Sequence, residues 1–423
     1  MRIANRPASE SAPGTHRPPE RPLFEAPRIR REDEGKRPTS WLEFFFDLVF
    51  VVAVDQLARR LEHADTGHDV LVYLALYGPV WWAWVGFVLY TDRFGTDDLS
   101  DRFMTLVQVG AALVIAAAAL QATSDRAAAF ALAYGVFRLV LAVRYAMAAH
   151  YVREARRECT RQSVGFALAA LIWLASAAVP ATWRFWMWGA GFAVDVLTPF
   201  ASGRLHHIVP PDPEHLEERF GTFINISLGV GFVGLVEAMR DQPLSSAVLA
   251  TAALSLLVGF SIWWGFFDTL DQAPIQQVRT RHRTGPYKVW LFAQLPLAAG
   301  VAAAGIAVGR LAHDAEAAAV EDPVRWLACG MVALCYVAHA IVHVAYAQSG
   351  AGREGWLIAA RKIPTIAAAL MIGVLGEGLS AVGVAALLAG AAGAQVLWNL
   401  WDRAHTDVRS GRDPGPGLAH RTA

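Results

Sequence analysis

From Trp41 to Asp402 the chain is a succession of apolar runs of helical length, separated by short polar stretches. About 20 mostly apolar residues carry a helix across the hydrocarbon core. Only helices and closed barrels satisfy their backbone in lipid. These runs are too long and too continuous for barrel strands, so the pattern predicts an all-α integral membrane protein. Twelve transmembrane helices are expected. The first six lie at 41–59, 70–91, 103–121, 127–148, 163–180 and 183–201. The second six lie at 217–239, 245–267, 287–309, 323–347, 358–375 and 379–401. Pro180, Pro243 and Pro323 fall at span edges, where a proline disrupts least. The last two spans are the least distinct: they share a run of small residues, and Arg361 and Lys362 sit near the start of the first.

The polar stretches add an orientation. Loop 149–162 carries Arg153, Arg156, Arg157 and Arg161. Loop 268–286 carries Arg279, Arg281 and Arg283, and loop 348–362 carries Arg353, Arg361 and Lys362. With twelve spans these loops and both basic tails share one side. The opposite loops, around Asp65, Asp125, Asp241 and Asp314, are short and poor in Lys and Arg, apart from Arg59 and Arg60. The positive-inside rule then places both termini in the cytoplasm, in the cell membrane.

The chain also echoes itself. "WWAWVGFVLYTDRF" at 81–94 resembles "WWGFFDTLDQ" at 263–272, and Gln108 has a counterpart in Gln294. "YGVFRLVLAVRYA" at 134–146 matches the spacing of "CYVAHAIVHVAYA" at 335–347. Six spans per unit make two parallel repeats, 41–201 and 217–402, joined by a linker at 202–216. Transporters and channels often hold substrate at such an interface. Segments 1–40 and 403–423 read as disordered cytoplasmic tails. The first 40 residues hold seven prolines and no apolar signal core.

Composition narrows the function. Charged residues make up 17% of the chain and the net charge is zero, so no basic field points to nucleic acid. Three cysteines are too few for a disulfide framework. There is no phosphate loop, HExxH or GxSxG, so ATP-driven transport and common hydrolase chemistry lack support. No cofactor is implied. The expected partners are the bilayer and a small solute or ion.

Polar residues inside the spans are the candidates for chemistry. Ionisable groups in a bilayer cost several kcal/mol and persist when they line water or pair. Glu43 and Asp47, four apart, share a helix face, and Asp55 falls roughly on it. They either line an ion or proton path or lock helices together as ion pairs. Arg138 and Arg144 lie deep in the fourth span, and one of them is the expected partner of a first-span carboxylate. Asp195 is another carboxylate in the sixth span; the seventh has Glu218 and Arg219 at its entry and Asn225 and Glu237 further in. Arg138 is replaced in the second repeat by His339. There Cys335, His339 and His343 share one face, a spacing that suits metal ligation, a proton relay, or hydrogen bonds to a neighbouring helix. No further ligand accompanies them, so no metal is assigned. Between the second and third spans, Asp92, Asp97, Asp98 and Asp101 alternate with Arg93 and Arg102. This loop is either a cation-attracting mouth or a salt-bridged clasp between two helix ends, and the clasp is preferred.

The stretches Glu43–Val51, Trp81–Trp84, Arg93–Asp98 and Glu218–Phe223 together resemble the bacterial low temperature requirement protein A (LtrA) family. The likeness runs over about 41–400. It implies a multi-spanning membrane protein whose activity is poorly defined, linked to stress adaptation. The family's seventh span typically continues to a Leu-Gly-Glu triplet; here it is Leu228-Gly229-Val230, and Glu237 lies seven residues on. A looser likeness to lysosomal-type potassium channels concerns architecture alone. The functional expectation is a secondary transporter or channel for a proton, cation or small solute. The alternatives are a structural membrane protein and a membrane-embedded enzyme.

Overall fold

A computed structural model describes residues 22–29, 39–201, 204–240, 242–268 and 272–410, with side chains to 405. Most of the expected N-terminal tail and the segment 411–423 lie outside the described residues. Within them the chain is helical throughout, with no strand.

The first half comprises α1 (Trp41–Ala58), α2 (Gly67–Phe94), α3 (Leu99–Ala118), α4 (Ala127–Tyr151), α5 (Arg156–Ser176) and α6 (Ala181–Ala201). A one-turn helix, α7 (Leu205–Ile208), leads to the second half. This contains α8 (Pro213–Arg240), α9 (Ser246–Phe267), α10 (Ala273–Arg281), α11 (Gly285–His313), α12 (Asp322–Tyr346), α13 (Gly352–Ala360), α14 (Ile363–Leu375) and α15 (Ala381–Ser410). Every predicted span overlaps a helix. By length and apolar composition, eight candidate spans qualify to cross a membrane, one of them merging α12 to α14.

The structure differs from the pattern in three places. The loops expected at 268–286 and 348–362 contain α10 and α13. The span expected at 358–375 is broken, because α14 has only 13 residues, about 20 Å of rise against the roughly 30 Å of hydrocarbon. Helix α15 continues to Ser410, past Asp402. The turn from α12 into α13 widens over Ala347–Ala351, where Gly350 at φ +128° and Gly352 at φ +52° take conformations that side-chain-bearing residues rarely adopt.

In each half the first helix packs chiefly on the third long helix rather than on its chain neighbour, and α9 lies chiefly against α15. In the first, α3 packs on α1 and α4, α4 on α5 and α5 on α6; in the second, α11 packs on α8 and α12, α12 on α14 and α14 on α15. The two halves meet along α1 and α8, with α2 and α11 beside them. Aromatic rings fill this junction. Phe46 stacks on Phe87 at 3.7 Å, and Trp84 packs against Phe223 at 4.2 Å and Phe220 at 4.9 Å. The crossing of α8 with α11 needs glycine on both sides: a Cβ on Gly305 would lie 2.3 Å from the Gly231 Cα. The outer faces keep large apolar residues exposed, among them Leu171, Trp186, Leu197 and Leu256, as a lipid-facing surface requires.

Candidate functional site

The densest buried charge lies between α1 and α8. Ser40 caps α1: its hydroxyl accepts from the Glu43 N–H at 3.2 Å, and its own N–H donates to Glu43 Oε2 at 2.8 Å. The cap fixes Glu43 on the first turn, and Asp47 follows one turn on. Across from them α8 presents His215 and Arg219 with the same four-residue spacing. Arg219 Nη2 donates to Asp47 Oδ1 at 2.7 Å, and Nη1 lies 3.2 Å from Glu43 Oε1. His215 Nε2 is 3.4 Å from Glu43, and its Nδ1 is 3.0 Å from Asp92 at the end of α2. Trp84 Nε1 donates to Asp47 at 2.8 Å, and the Asp212 N–H donates to Asp92 at 3.2 Å. Arg219 and Asp47 are fully buried.

The network continues to Arg93, which is buried and bonded to His206 Nδ1 at 3.0 Å. His206 sits in the connection between the two halves. Burial lowers its pKa well below the usual histidine range, and Arg93, Lys288 and His207 push the same way, so it stays neutral and accepts. Three carboxylates (Glu43, Asp47, Asp92) therefore face three bases (Arg219, Arg93, His215). Acids and bases thus meet in equal number in a buried seam.

At the far end of the same two helices, Arg59 pairs with Asp55 at 2.9 Å, with Glu62 at 3.1 Å and with Glu237 of α8 at 3.0 Å. Arg59, Glu62 and Glu237 border a cavity of about 680 Å³ that Arg310, His313 and Glu321 also line. Because Glu43 meets His215 at one end and Arg59 meets Glu237 at the other, α1 and α8 run parallel. Between the ends α1 buries Phe50, Val51 and Val54, and α8 buries Phe223 and Ile224.

The other expected residues lie elsewhere. Arg138 does not pair with a first-span carboxylate: its Nε donates to Asp195 at 2.6 Å, and Tyr134 donates to the same oxygen at 2.7 Å. Its guanidinium lies over Gly86, where a Cβ would come within 2.5 Å of Nη1. Arg144 pairs with Asp101 and bonds Thr105 at 2.7 Å. Asn225 is exposed and accepts from Trp263 at 2.8 Å. His339 and His343 are buried on α12, away from the seam. Among the described residues no group of three His, Cys, Asp or Glu is arranged to hold a metal ion.

The acidic loop is held mainly by local bonds. Asp98 caps α3, accepting from the Asp101 N–H at 2.9 Å, Ser100 at 2.6 Å, Thr96 at 2.7 Å and the Glu25 N–H at 3.1 Å. Burial alone would raise its pKa, but these four donors outweigh it and hold the carboxyl below the usual range. Asp97 pairs with Arg102 at 3.0 Å on the surface.

The model of the bacterial low temperature requirement A protein family matches residues 38–393. The chain belongs to that family. It is also similar to an uncharacterized protein of Rhizobium meliloti, 21% identical over 285 residues that cover 64% of this chain and 69% of the other. No solved structure matches. This LtrA-family chain is thus a multi-pass membrane protein, and its matched region takes in the whole α1–α8 seam. Sequence alone did not pair Arg219 and His215 with α1. The signal was present: His215 and Arg219 repeat the spacing of Glu43 and Asp47 with opposite charge.

Proposed function

We propose that this protein is a secondary transporter or channel for a proton, a cation or a small solute carried with one, and that its path follows the α1–α8 seam. The observation that carries the reading is a buried network of three carboxylates, two arginines and a histidine, aligned along one helix pair with a charged cavity at the other end. The reading takes twelve spans in two parallel six-helix units, with both termini in the cytoplasm of the cell. Parallel α1 and α8, and the same packing order in each half, support it. In this state the apolar residues between Asp47 and Asp55 close the path.

Flux of protons and of Na⁺ and K⁺ into proteoliposomes tests it, read with ion-sensitive dyes. Wild type is expected to give flux above empty vesicles, reduced at least tenfold in Asp47→Asn and His215→Gln. Equal flux in wild type and both variants refutes the path.

One observation favours a second reading. Asp47, Asp101 and Asp195 each already bond a fully buried arginine. Such pairs also serve to fix helices. A structural role in the membrane predicts no flux in any form, with the variants changed in stability alone.

A further inference from the structure

A second group of buried polar side chains lies outside the seam, where α9, α12 and α14 meet. Lys362 is the N-cap residue of α14 and is fully buried. Among the described residues its Nζ has no hydrogen-bond partner, and neither do both ring nitrogens of His339 nor Nε2 of His343. Lys362 interacts electrostatically with both histidines and with Asp268 at the end of α9. His339 packs over Gly265 of α9, 3.3 Å from where a Cβ would stand.

The charges around Lys362 are nearly spent. Arg361 pairs with Asp402 and Arg403 with Asp268, both at 2.5 Å. Three bases against two acids leave one positive charge over, and it is the buried one. An ammonium taken from water without a partner costs several kcal/mol. Of the other orphan atoms around it, those of His339 and His343 belong to rings that can donate, and Asp268 Oδ2 is an acceptor.

The geometry points to an anion-binding site between α9, α12 and the N-terminus of α14, where Lys362 supplies the charge and His339 and His343 supply ring N–H donors to a carboxylate or phosphate group. The group comes either from a free small anion or from an acidic lipid headgroup. The site shares no residue with the seam, so it stands or falls apart from the transport reading.

The test is thermal unfolding of purified, delipidated full-length protein in a buffer whose only anion is a bulky sulfonate. Inorganic phosphate and acetate are titrated at constant ionic strength in one arm, and phosphatidylglycerol against phosphatidylcholine in the other. Wild type is expected to show a saturable rise in Tm of several degrees, and Lys362→Met none. Without added anion, Lys362→Met is expected to unfold at or above the wild-type temperature. His343→Gln, which keeps a donor, is the second variant should Lys362→Met not fold, and its apparent Kd is expected to rise severalfold. A response to phosphate or acetate assigns a free anion, and a response to phosphatidylglycerol alone assigns the headgroup. If neither arm shifts wild type more than the variants, the site does not exist.

Discussion

Arg219 is the hinge of the seam, and the α1 pairing stands on it. Replacing it with leucine removes the guanidinium that lies 2.7 Å from Asp47 and 3.2 Å from Glu43. Asp47 then keeps only the Trp84 indole among its charge-stabilising partners. Breaking a buried pair on one side typically costs about 3–5 kcal/mol, because the remaining charge is stranded. Arg219→Leu is therefore expected to lose about that much. Asp47→Asn strands Arg219 less completely, since Glu43 remains, and its cost is expected nearer 2 kcal/mol. In the double variant both charges are gone and the loss falls well short of the sum, leaving a coupling of about 2 kcal/mol. The same cycle between Asp47 and Arg138 is expected to give less than about 0.5 kcal/mol, because Arg138 is engaged with Asp195. Reversible unfolding in mixed detergent micelles supplies the four free energies of each cycle. Additive costs for Asp47 and Arg219, or strong coupling to Arg138, would refute the pairing.

Gly305→Val drives a branched side chain into the Gly231 backbone, 2.3 Å from the nearest atom, and neither helix can yield. Loss of folded protein on size-exclusion chromatography is expected, with Gly110→Val, which meets open space, as the control. His206 adds a pH dependence: its folded pKa is depressed, so the unfolded chain binds the proton first. Stability is expected to fall as pH drops through about 6.5, by up to about 1.4 kcal/mol per unit, and to flatten in His206→Asn; a pH series of unfolding midpoints checks both. Val230→Glu places a carboxylate in the apolar stretch of α8 and is expected to raise proton flux in vesicles while lowering stability by a few kcal/mol. Unchanged flux in a folded Val230→Glu protein would separate that position from the path.

The helices were legible because a lipid-exposed segment has little freedom in composition. Runs such as 103–121 and 245–267 state their state outright. The span at 358–375 is interrupted by a two-residue turn at Arg361–Lys362, ahead of Pro364, and hydropathy does not register such an interruption. Partners were harder than positions. Asp47, Arg138 and Asp195 stood out as buried charges, yet the pairing of Arg138 went to α6 and that of Asp47 to α8. Which carboxylate meets which base depends on interhelical register, and register in lipid is set largely by small residues such as Gly86 and Gly231 that carry no charge signal. The bonds of the acidic loop are mostly local, and so within reach of sequence: Asp98 accepts from residues within three positions of itself, apart from Glu25.

Val230 ties these threads together. Positions 219, 230 and 237 are separated by about three and about two helical turns, so they share one face of α8. Arg219 closes the charge network at one end of that face, and Glu237 meets Arg59 at the cavity on the other. The intervening position, about 16 Å from Arg219 along the axis, holds valine where the family resemblance leads one to expect glutamate. On α1 the matching stretch between Asp47 and Asp55 is Phe50, Val51 and Val54, equally apolar. On the proposed transport reading, a proton moving along this pair meets titratable groups at both ends and an apolar interval of several turns between them, which water or a helix displacement has to open. Glu237 cannot take over the role from its present place, because it lies exposed at the cavity and is already paired with Arg59.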